Sequence, residues 1–595
     1  MKRHLFCAVA AAILFAVLPL EAQIRGFRQE QLKEWEFSKD GSNWETVAVP
    51  HSYNAEDGHS PYYYRGKATY RCDLRINDLK KTHYIFFEGA AQAAVVKVNG
   101  EQVASHKGGY TPFSVNITEA LRKGVNRIEV ICDNSEDVDM IPVSSDFNKN
   151  GGLHNPVWLL VMEDVYFSPE DYGIYRLRCE TPEVTKKKVV TNVKARLVNP
   201  SNRDANILVR VQLLEANGAL GYQADREVPV RAFSEYDFDH EFILSGIHLW
   251  DGMKDPYLYT VRVELFKGKR MMDIAETKVG YRSIEMDPER GFLLNGRPYP
   301  LRGVAMHQDT DGKASALTEA DYRRDYRIVK ELGANFLRLA HYPHNDFAFR
   351  LCDSLGIIVQ TEVPWVNVCG TNATQPYFNN IHHQMKEMVN NLYNHPSIAF
   401  WGMWNELDTW GNNSDLQGAF DAERVARETK RLYEYTKSLD PDRYVGFTDC
   451  SRLARDGYPY LKGDFCSQNI YYGWYWTPND FSGLTTSLKK VRELRPDCPI
   501  NLSEYGVGIN PFCHVWNQAD AVRDKEDDSR HYEEYGNRFH ESYVRQIKAM
   551  PWLNFTSVWV LFDFPVANRQ EGYMDSEDGV KFVRNNDRKY MNDKG

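Results

Sequence analysis

The chain has 595 residues, 43% of them hydrophobic and 26% charged, the composition of a folded globular protein rather than of a disordered or collagenous one. At roughly 100 to 200 residues per domain this length implies about three to five domains, or fewer if one is a large barrel, and it excludes a single small binding module. Lys+Arg number 72 and Asp+Glu 82, giving a net charge of −10 with no long run of like charge, so the electrostatic footprint of a nucleic-acid binder is missing.

The first 22 residues differ from the rest. Lys2, Arg3 and His4 precede an apolar run over 5–20, and Glu21-Ala22 follows, the pattern of a secretory signal peptide cleaved after Ala22. The apolar run falls short of the ~20 residues that span a bilayer, and no later segment is long and apolar enough to do so. A secreted or periplasmic location is expected. Of ten cysteines, Cys7 lies in this leader and the other nine are scattered without a C-x-x-C pair, which is neither a disulfide scaffold nor a zinc cluster. The 35 Tyr and 13 Trp fit large β cores, with sugar-stacking surfaces as a further use.

Residues 23–170 and 171–285 read as two β-sandwiches. Short alternating runs such as 82–87, 94–100 and 126–132, and then 189–197, 207–213 and 259–265, are separated by turn residues. The second stretch has the size of an immunoglobulin-like domain. Val98-Asn99-Gly100-Glu101 predicts a type I′ hairpin turn, whose two central residues need positive φ.

From 286 to 595 apolar strands alternate with amphipathic helices, the signature of β-α units around a parallel sheet. Strands are predicted over 301–307, 335–341, 357–362, 398–406, 444–448, 465–471, 500–504 and 555–562. Helices are predicted from a capping box at Thr318 and Asp321, and over 346–355, 382–393, 422–438, 484–494 and 532–549. Eight strands close a (β/α)₈ TIM barrel, whose functional groups sit at the carboxyl ends of its strands. After the eighth strand only polar, Gly- and Asp-rich sequence remains, so the barrel is expected to lack its last helix.

The polar residues ending these strands should then converge on one pocket. They are His307, Arg338 and His341, Glu362, Asn405 and Glu406, Asn469 and Tyr471, Glu504, and Trp559, a set rich in groups that bind hydroxyls. Glu406 and Glu504 each end an otherwise apolar strand, where a charge is costly unless function or a partner requires it. Two carboxyls facing a pocket suit acetal hydrolysis: one protonates the leaving oxygen and the other captures the oxocarbenium-like centre. No H-E-x-x-H motif, Cys/His cluster or G-x-S-x-G elbow is found, so neither a metal nor a serine nucleophile is expected, and no cofactor is called for.

These motifs resemble glycoside hydrolase family 2, the family of β-galactosidases, β-glucuronidases and β-mannosidases, over nearly all of the mature sequence. The resemblance is carried by Gly280-Tyr-Arg282, Phe292-Leu-Leu-Asn-Gly296, Leu301-Arg-Gly-Val-Ala-Met-His307, Asn335-Phe-Leu-Arg-Leu-Ala-His-Tyr-Pro343, His395-Pro-Ser397, Trp404-Asn-Glu406 and Ser503-Glu-Tyr-Gly506. It implies a jelly-roll domain, an immunoglobulin-like domain and a catalytic barrel, in that order. It further implies a retaining mechanism with Glu406 as acid/base and Glu504 as nucleophile. Asn405 would hold the sugar 2-hydroxyl and Tyr471 would hydrogen-bond the nucleophile, while His307, His341 and Trp559 line the subsite of the non-reducing sugar.

Other family features point in different directions. A carboxylate from the first domain reaches the pocket in β-galactosidases, and Asp146 in Asp146-Phe-Asn-Lys-Asn-Gly-Gly152 stands in that place; a turn-capping Asp is the alternative. Large β-galactosidases hold Mg²⁺ just after the third strand, where this chain has Val366 and Val368. Asn592-Asp-Lys594 resembles the Asn-x-Lys pair that holds a uronic carboxylate in β-glucuronidases. The Gln308-Asp309 and Leu317-Thr318 surroundings are closer to the galactosidase branch. The expectation is therefore an exo-β-glycosidase of oligosaccharides or glycosides, first a β-galactosidase and second a β-glucuronidase. A non-catalytic carbohydrate-binding protein on an incomplete barrel is the alternative of another class.

Overall fold

A computed structural model describes residues 28–57, 63–407, 417–450, 452–457, 460–509, 513–524, 530–565, 574–577 and 580–583. The leader and the Asn592-Asp-Lys594 string lie outside the described residues.

The first β-rich stretch folds into two facing sheets. One has the strand order Arg28–Gln31, Val157–Met162, Thr82–Phe87, Phe113–Asn116; the other runs Glu45–Ala48, Glu34–Ser38, Lys67–Ile76, Gly124–Asp133, Ala93–Val98, Glu101–Lys107. Alternation in the sequence becomes alternation of burial: Val96, Val98, Ile128, Val130 and Cys132 are wholly enclosed between the sheets with Ile85 and Phe87. Thr82–Phe87 is buried on both faces because Tyr84 and Phe86 pack outward against Leu160, Met162 and Ile174. The predicted tight turn is present, with φ of 53° at Asn99 and 89° at Gly100.

The second stretch forms another sandwich. Val189–Asn199 pairs with Tyr166–Phe167, Arg178–Val184 and Ser234–Leu244, and it faces a sheet of order Leu220–Val230, Ala205–Leu214, Tyr259–Lys267, Arg270–Val279. Val193, Leu197, Ile207, Val209, Val263 and Leu265 fill the space between.

The third unit is a closed barrel of eight parallel strands: β1 (Leu301–Met306), β2 (Phe336–Leu339), β3 (Ile358–Glu362), β4 (Ile398–Asn405), β5 (Tyr444–Asp449), β6 (Phe465–Asn469), β7 (Ile500–Tyr505) and β8 (Phe555–Val558). β1 pairs in register with both β2 and β8, which closes the ring. The lower end is plugged. Leu301, Phe336, Ile358, Phe465 and Phe555, the first residues of their strands, pack with Phe400 on Phe292 and Leu294 of a small antiparallel sheet leading into the barrel.

The helices are α1 (Glu319–Glu331), α2 (Asp346–Leu355), α3 (Gln375–Leu392), α4 (Ala422–Leu439), α5 (Arg452–Asp456), α6 (Gly483–Leu494) and α7 (Glu533–Lys548). The Thr318/Asp321 capping box is formed at α1. α3 starts well before the predicted residue 382, because Thr374 accepts from the Tyr377 N–H and Pro376 suits a first helical turn; α5 is a single extra turn after β5. Beyond β8 the described residues hold a two-stranded antiparallel pair, Met574–Glu577 and Val580–Val583, and no helix. Among the described residues no helix is long and apolar enough to cross a membrane.

The first sandwich sits against the barrel's upper rim. Tyr110 stacks on Tyr342 at 4.0 Å between ring centres, the Asn345 amide donates to Glu88 at 2.8 Å, and the Asn150 amide donates to the Ser315 hydroxyl at 3.1 Å. α3 grips the segment preceding Asp146: the Ile141 N–H donates to Asn380 at 3.0 Å, and Gln384 donates to the Ile141 carbonyl at 3.1 Å.

Candidate active site

Strand geometry brings the predicted rim residues together. Inward-pointing residues at the ends of β2, β3, β4, β6 and β7 share one layer, and its centre is Arg338. This side chain is fully buried and its guanidinium is divided among four partners. One amino group donates to the Glu504 carboxylate. The other donates to Glu362 at 2.8 Å and to the Asn405 carbonyl at 2.8 Å, and lies 3.3 Å from His341 Nδ1, while Nε meets the second Glu362 oxygen at 3.2 Å.

A buried cation in this position is costly alone and stabilising only when paired. Glu362 shows the compensation. Burial would raise its carboxyl, but the Arg338 charge and the His341 hydrogen bond at 2.7 Å outweigh that and pull it down to about 2. Gln360 also donates to it, at 2.9 Å. Glycine is required beside it, since a Cβ at Gly402 would lie 2.5 Å from the Glu362 Cβ.

Glu504 receives Arg338 on one oxygen and the Tyr471 hydroxyl on the other, at 2.7 Å. Burial and the negative charges of Glu504 and Glu406 push the Tyr471 phenol far above its ordinary range, so it remains a donor. Glu406 has different company. Its Oε1 accepts from the Asn469 amide at 2.5 Å, and Asn469 is held in turn by the Ser503 hydroxyl at 2.7 Å. The Glu406 backbone stands at φ 50°, a left-handed conformation that costs a non-glycine residue about 1–3 kcal/mol and concentrates at functional sites. Asn405 Oδ1 accepts from both Arg338 and Asn469, which fixes the amide's orientation and leaves its Nδ2 without an acceptor among the described residues.

An aromatic wall completes the pocket. The His341 and Trp559 rings stack at 5.0 Å, and His307 stands edge-on to Trp559 at 5.4 Å. His307 Nδ1 meets the Tyr342 hydroxyl at 3.1 Å, while its Nε2 is buried and has no hydrogen-bond partner among the described residues. Burial, with His341, His344 and Arg338 nearby, lowers His307 far below its ordinary value and keeps it neutral. Phe564 covers His307 at 4.1 Å.

Eight of the predicted residues thus form one connected layer: Arg338, His341, Glu362, Asn405, Glu406, Asn469, Tyr471 and Glu504. His307 and Trp559 flank it. Arg338 differs from the hydroxyl-binding role expected of it, because it is spent on the carboxylates. Asp146 is half-buried in the segment from the first sandwich, and the ring of its neighbour Phe147 lies 5.2 Å from that of His307 and 5.9 Å from that of His341. Phe147 and Glu362's clamp on Arg338 escaped the sequence argument; Phe147 lay beside Asp146 in the segment already singled out. Val366 joins an apolar cluster with Tyr110, Phe147 and Tyr342. The predicted carboxylate-binding pair, Asn592 and Lys594, is outside the described residues.

Known proteins share this organisation. The family model "Glycosyl hydrolases family 2, TIM barrel domain" matches residues 286–589, the "Glycosyl hydrolases family 2" model residues 174–282, and the family's "sugar binding domain" model residues 60–163. A β-glucuronidase of Bacteroides fragilis is 31% identical over 565 residues, covering 92% of this chain and 75% of its own. A β-galactosidase of Thermoanaerobacterium thermosulfurigenes is 28% identical, covering 82% of this chain and 64% of its own. The solved structure of Bacteroides uniformis β-glucuronidase 2, covalently bound to cyclophellitol-6-carboxylate aziridine, superimposes with a TM-score of 0.84 at 29% identity, over 91% of this chain and 66% of that one. With a sugar-binding sandwich, an immunoglobulin-like sandwich and a barrel whose strand ends carry the paired carboxylates, the chain belongs to glycosyl hydrolases family 2.

Proposed function

We propose that the protein is a retaining exo-β-glycosidase that removes terminal β-D-glucuronic acid. The observation carrying the chemistry is the unequal environment of the two carboxylates. Glu504, held by a guanidinium and a phenol, is suited to act as the anion that attacks the anomeric carbon. Glu406, held by a neutral amide, is suited to give its proton to the departing glycosidic oxygen. In the second half Glu406 takes a proton from water, whose oxygen displaces Glu504 from the anomeric carbon. Such a pathway places the two carboxyl groups about 5 to 5.5 Å apart. Asn405 Nδ2 is the donor for the sugar 2-hydroxyl, and His307 Nε2, buried and unsatisfied, is a second donor or acceptor for the ring hydroxyls.

The sugar reading reverses the order expected from sequence, where galactose came first. It is supported by the β-glucuronidase name of the Bacteroides relatives and by the Asn592-x-Lys594 pattern, which offers an amide and a cation to a uronic carboxylate. Asp146 and the Thermoanaerobacterium relative favour a β-galactoside as the second reading. Parallel assays with aryl β-D-glucuronide, β-D-galactoside and β-D-mannoside decide. We expect turnover of the glucuronide above all, reduced roughly 10- to 100-fold by Lys594→Ala, the worth of one charge-assisted hydrogen bond. Galactoside turnover indifferent to Lys594→Ala would establish the second reading. Sugar binding without turnover of any substrate would point to a carbohydrate-binding protein.

A further inference from the structure

Away from the barrel rim, the first sandwich meets α3 at a polar cluster for which glycoside hydrolysis has no use. His106, on the edge strand Glu101–Lys107, is buried and points Nε2 at the Glu387 carboxylate, 2.9 Å from Oε1 and 3.1 Å from Oε2. His383 lies one helical turn before Glu387 on the same face of α3 and brings its own Nε2 to 3.0 Å from that same Oε1. The three ligating atoms all lie within 4.8 Å of one another. Two imidazoles therefore aim the same ring nitrogen at a single oxygen.

The surroundings hold these groups in place. The Thr111 hydroxyl donates to Glu387 Oε2 at 2.6 Å, orienting the carboxylate from behind as outer-shell partners of metal ligands do. Phe113 stacks on the His106 ring at 4.1 Å and 12°, which fixes the ring plane. His106 Nδ1 is buried with no partner among the described residues, so Nε2 is the nitrogen its placement serves. The His383 side chain is 49% exposed, leaving one side of the cluster open to water.

We propose that His106, His383 and Glu387 form a site for a divalent transition-metal ion of the zinc class, with water as fourth ligand, that fastens the first sandwich to the barrel. Two imidazoles and one carboxylate are a common donor set for Zn²⁺. Bonds of about 2.0–2.2 Å in tetrahedral geometry put ligand atoms about 3.4 Å apart, so closure takes shifts of about an ångström. The ion replaces the hydrogen bonds at Glu387 Oε1, and each histidine binds it through Nε2 as the neutral imidazole, with the ring's one proton on Nδ1. The fastening bears on the pocket, because the preceding turns of α3 carry Asn380 and Gln384, which hold Lys107 and Ile141 of the sandwich. Phe147 follows along the same segment.

The test uses the full chain, dialysed against chelator and titrated with Zn²⁺ by calorimetry and with Co²⁺ by visible absorption. We expect one tight equivalent, a tetrahedral Co²⁺ spectrum and a rise in Tm on adding Zn²⁺. His383→Ala, at the half-exposed position, should remove that equivalent, and Thr111→Val should weaken it roughly 10- to 100-fold. His106→Gln gives a second reading from the sandwich side. Absence of a tight equivalent in the wild-type chain, or its retention at unchanged affinity in both histidine variants, overturns the proposal and leaves the cluster a charge-paired contact.

Discussion

Arg338 illustrates how one side chain can set the character of a site. Its four partners come from separate strand ends, so removing it strands Glu362 and Glu504 in a buried setting. Arg338→Met should cost about 3–5 kcal/mol of stability, the usual penalty for breaking a buried ion pair on one side, read from chemical denaturation. Acid has a related effect through Glu362. Its folded value of about 2 lies below the unfolded carboxyl, so its stabilisation is complete above about pH 4.3 and is lost as pH falls toward 2. A Glu362→Gln variant should lack this portion of acid sensitivity in a denaturation series. For Glu406→Gln we expect kcat to fall about 10²- to 10⁴-fold on substrates with poor leaving groups, and much less where the leaving group departs without a proton. Both catalytic candidates were legible in the sequence as acids closing apolar strands. Phe147 was not, because an aromatic on an irregular segment carries no periodic signal and its partners lie in another domain.

At the scale of elements, α2 is locked to the approach of β4 by His395. Its ring nitrogens meet Asp353 at 2.6 Å and Asp346 at 3.0 Å. Burial alone would lower this imidazole, but the two carboxylates prevail and raise it to about 9. A raised folded value means that the stabilisation is full below about pH 6.5 and disappears as pH climbs through 9. The protein should therefore lose Tm between pH 7 and pH 10, and His395→Asn should flatten that dependence; an equal slope in the variant would refute the assignment. Helix positions were readable from capping residues and apolar spacing, as at Thr318 and Asp321. The start of α3 is not readable from the sequence because the Asn379-Asn380 stretch looks like loop, whereas Asn380 is buried and bonded to the first sandwich and Asn379 is exposed and accepts from Gln375 one turn earlier. Sequence periodicity cannot see an interface that replaces solvent. The same limit hid the His106 and Glu387 pair, 281 residues apart.

For the whole molecule, the order of two sandwiches and a barrel was legible because period-2 alternation gives way to β-α alternation near Gly291, and Gly506 shows how tightly the closed barrel is built: a Cβ there would lie 2.1 Å from the Trp559 carbonyl. The sugar was not legible, since a hydroxymethyl and a carboxylate on one ring carbon are told apart by one or two side chains among hundreds. We also propose export of the mature chain, from the basic and apolar leader. Fractionated cells expressing the full chain should yield protein beginning at Gln23 outside the cytoplasm, and an uncleaved cytoplasmic form would contradict this. The central claim, a double displacement through Glu504, is tested most directly by trapping the covalent intermediate with a glucuronic-acid-configured aziridine and mapping the labelled peptide by mass spectrometry. The account predicts a single adduct on Glu504, absent in Glu504→Gln; an adduct on Glu406, or full turnover by Glu504→Gln, would contradict it.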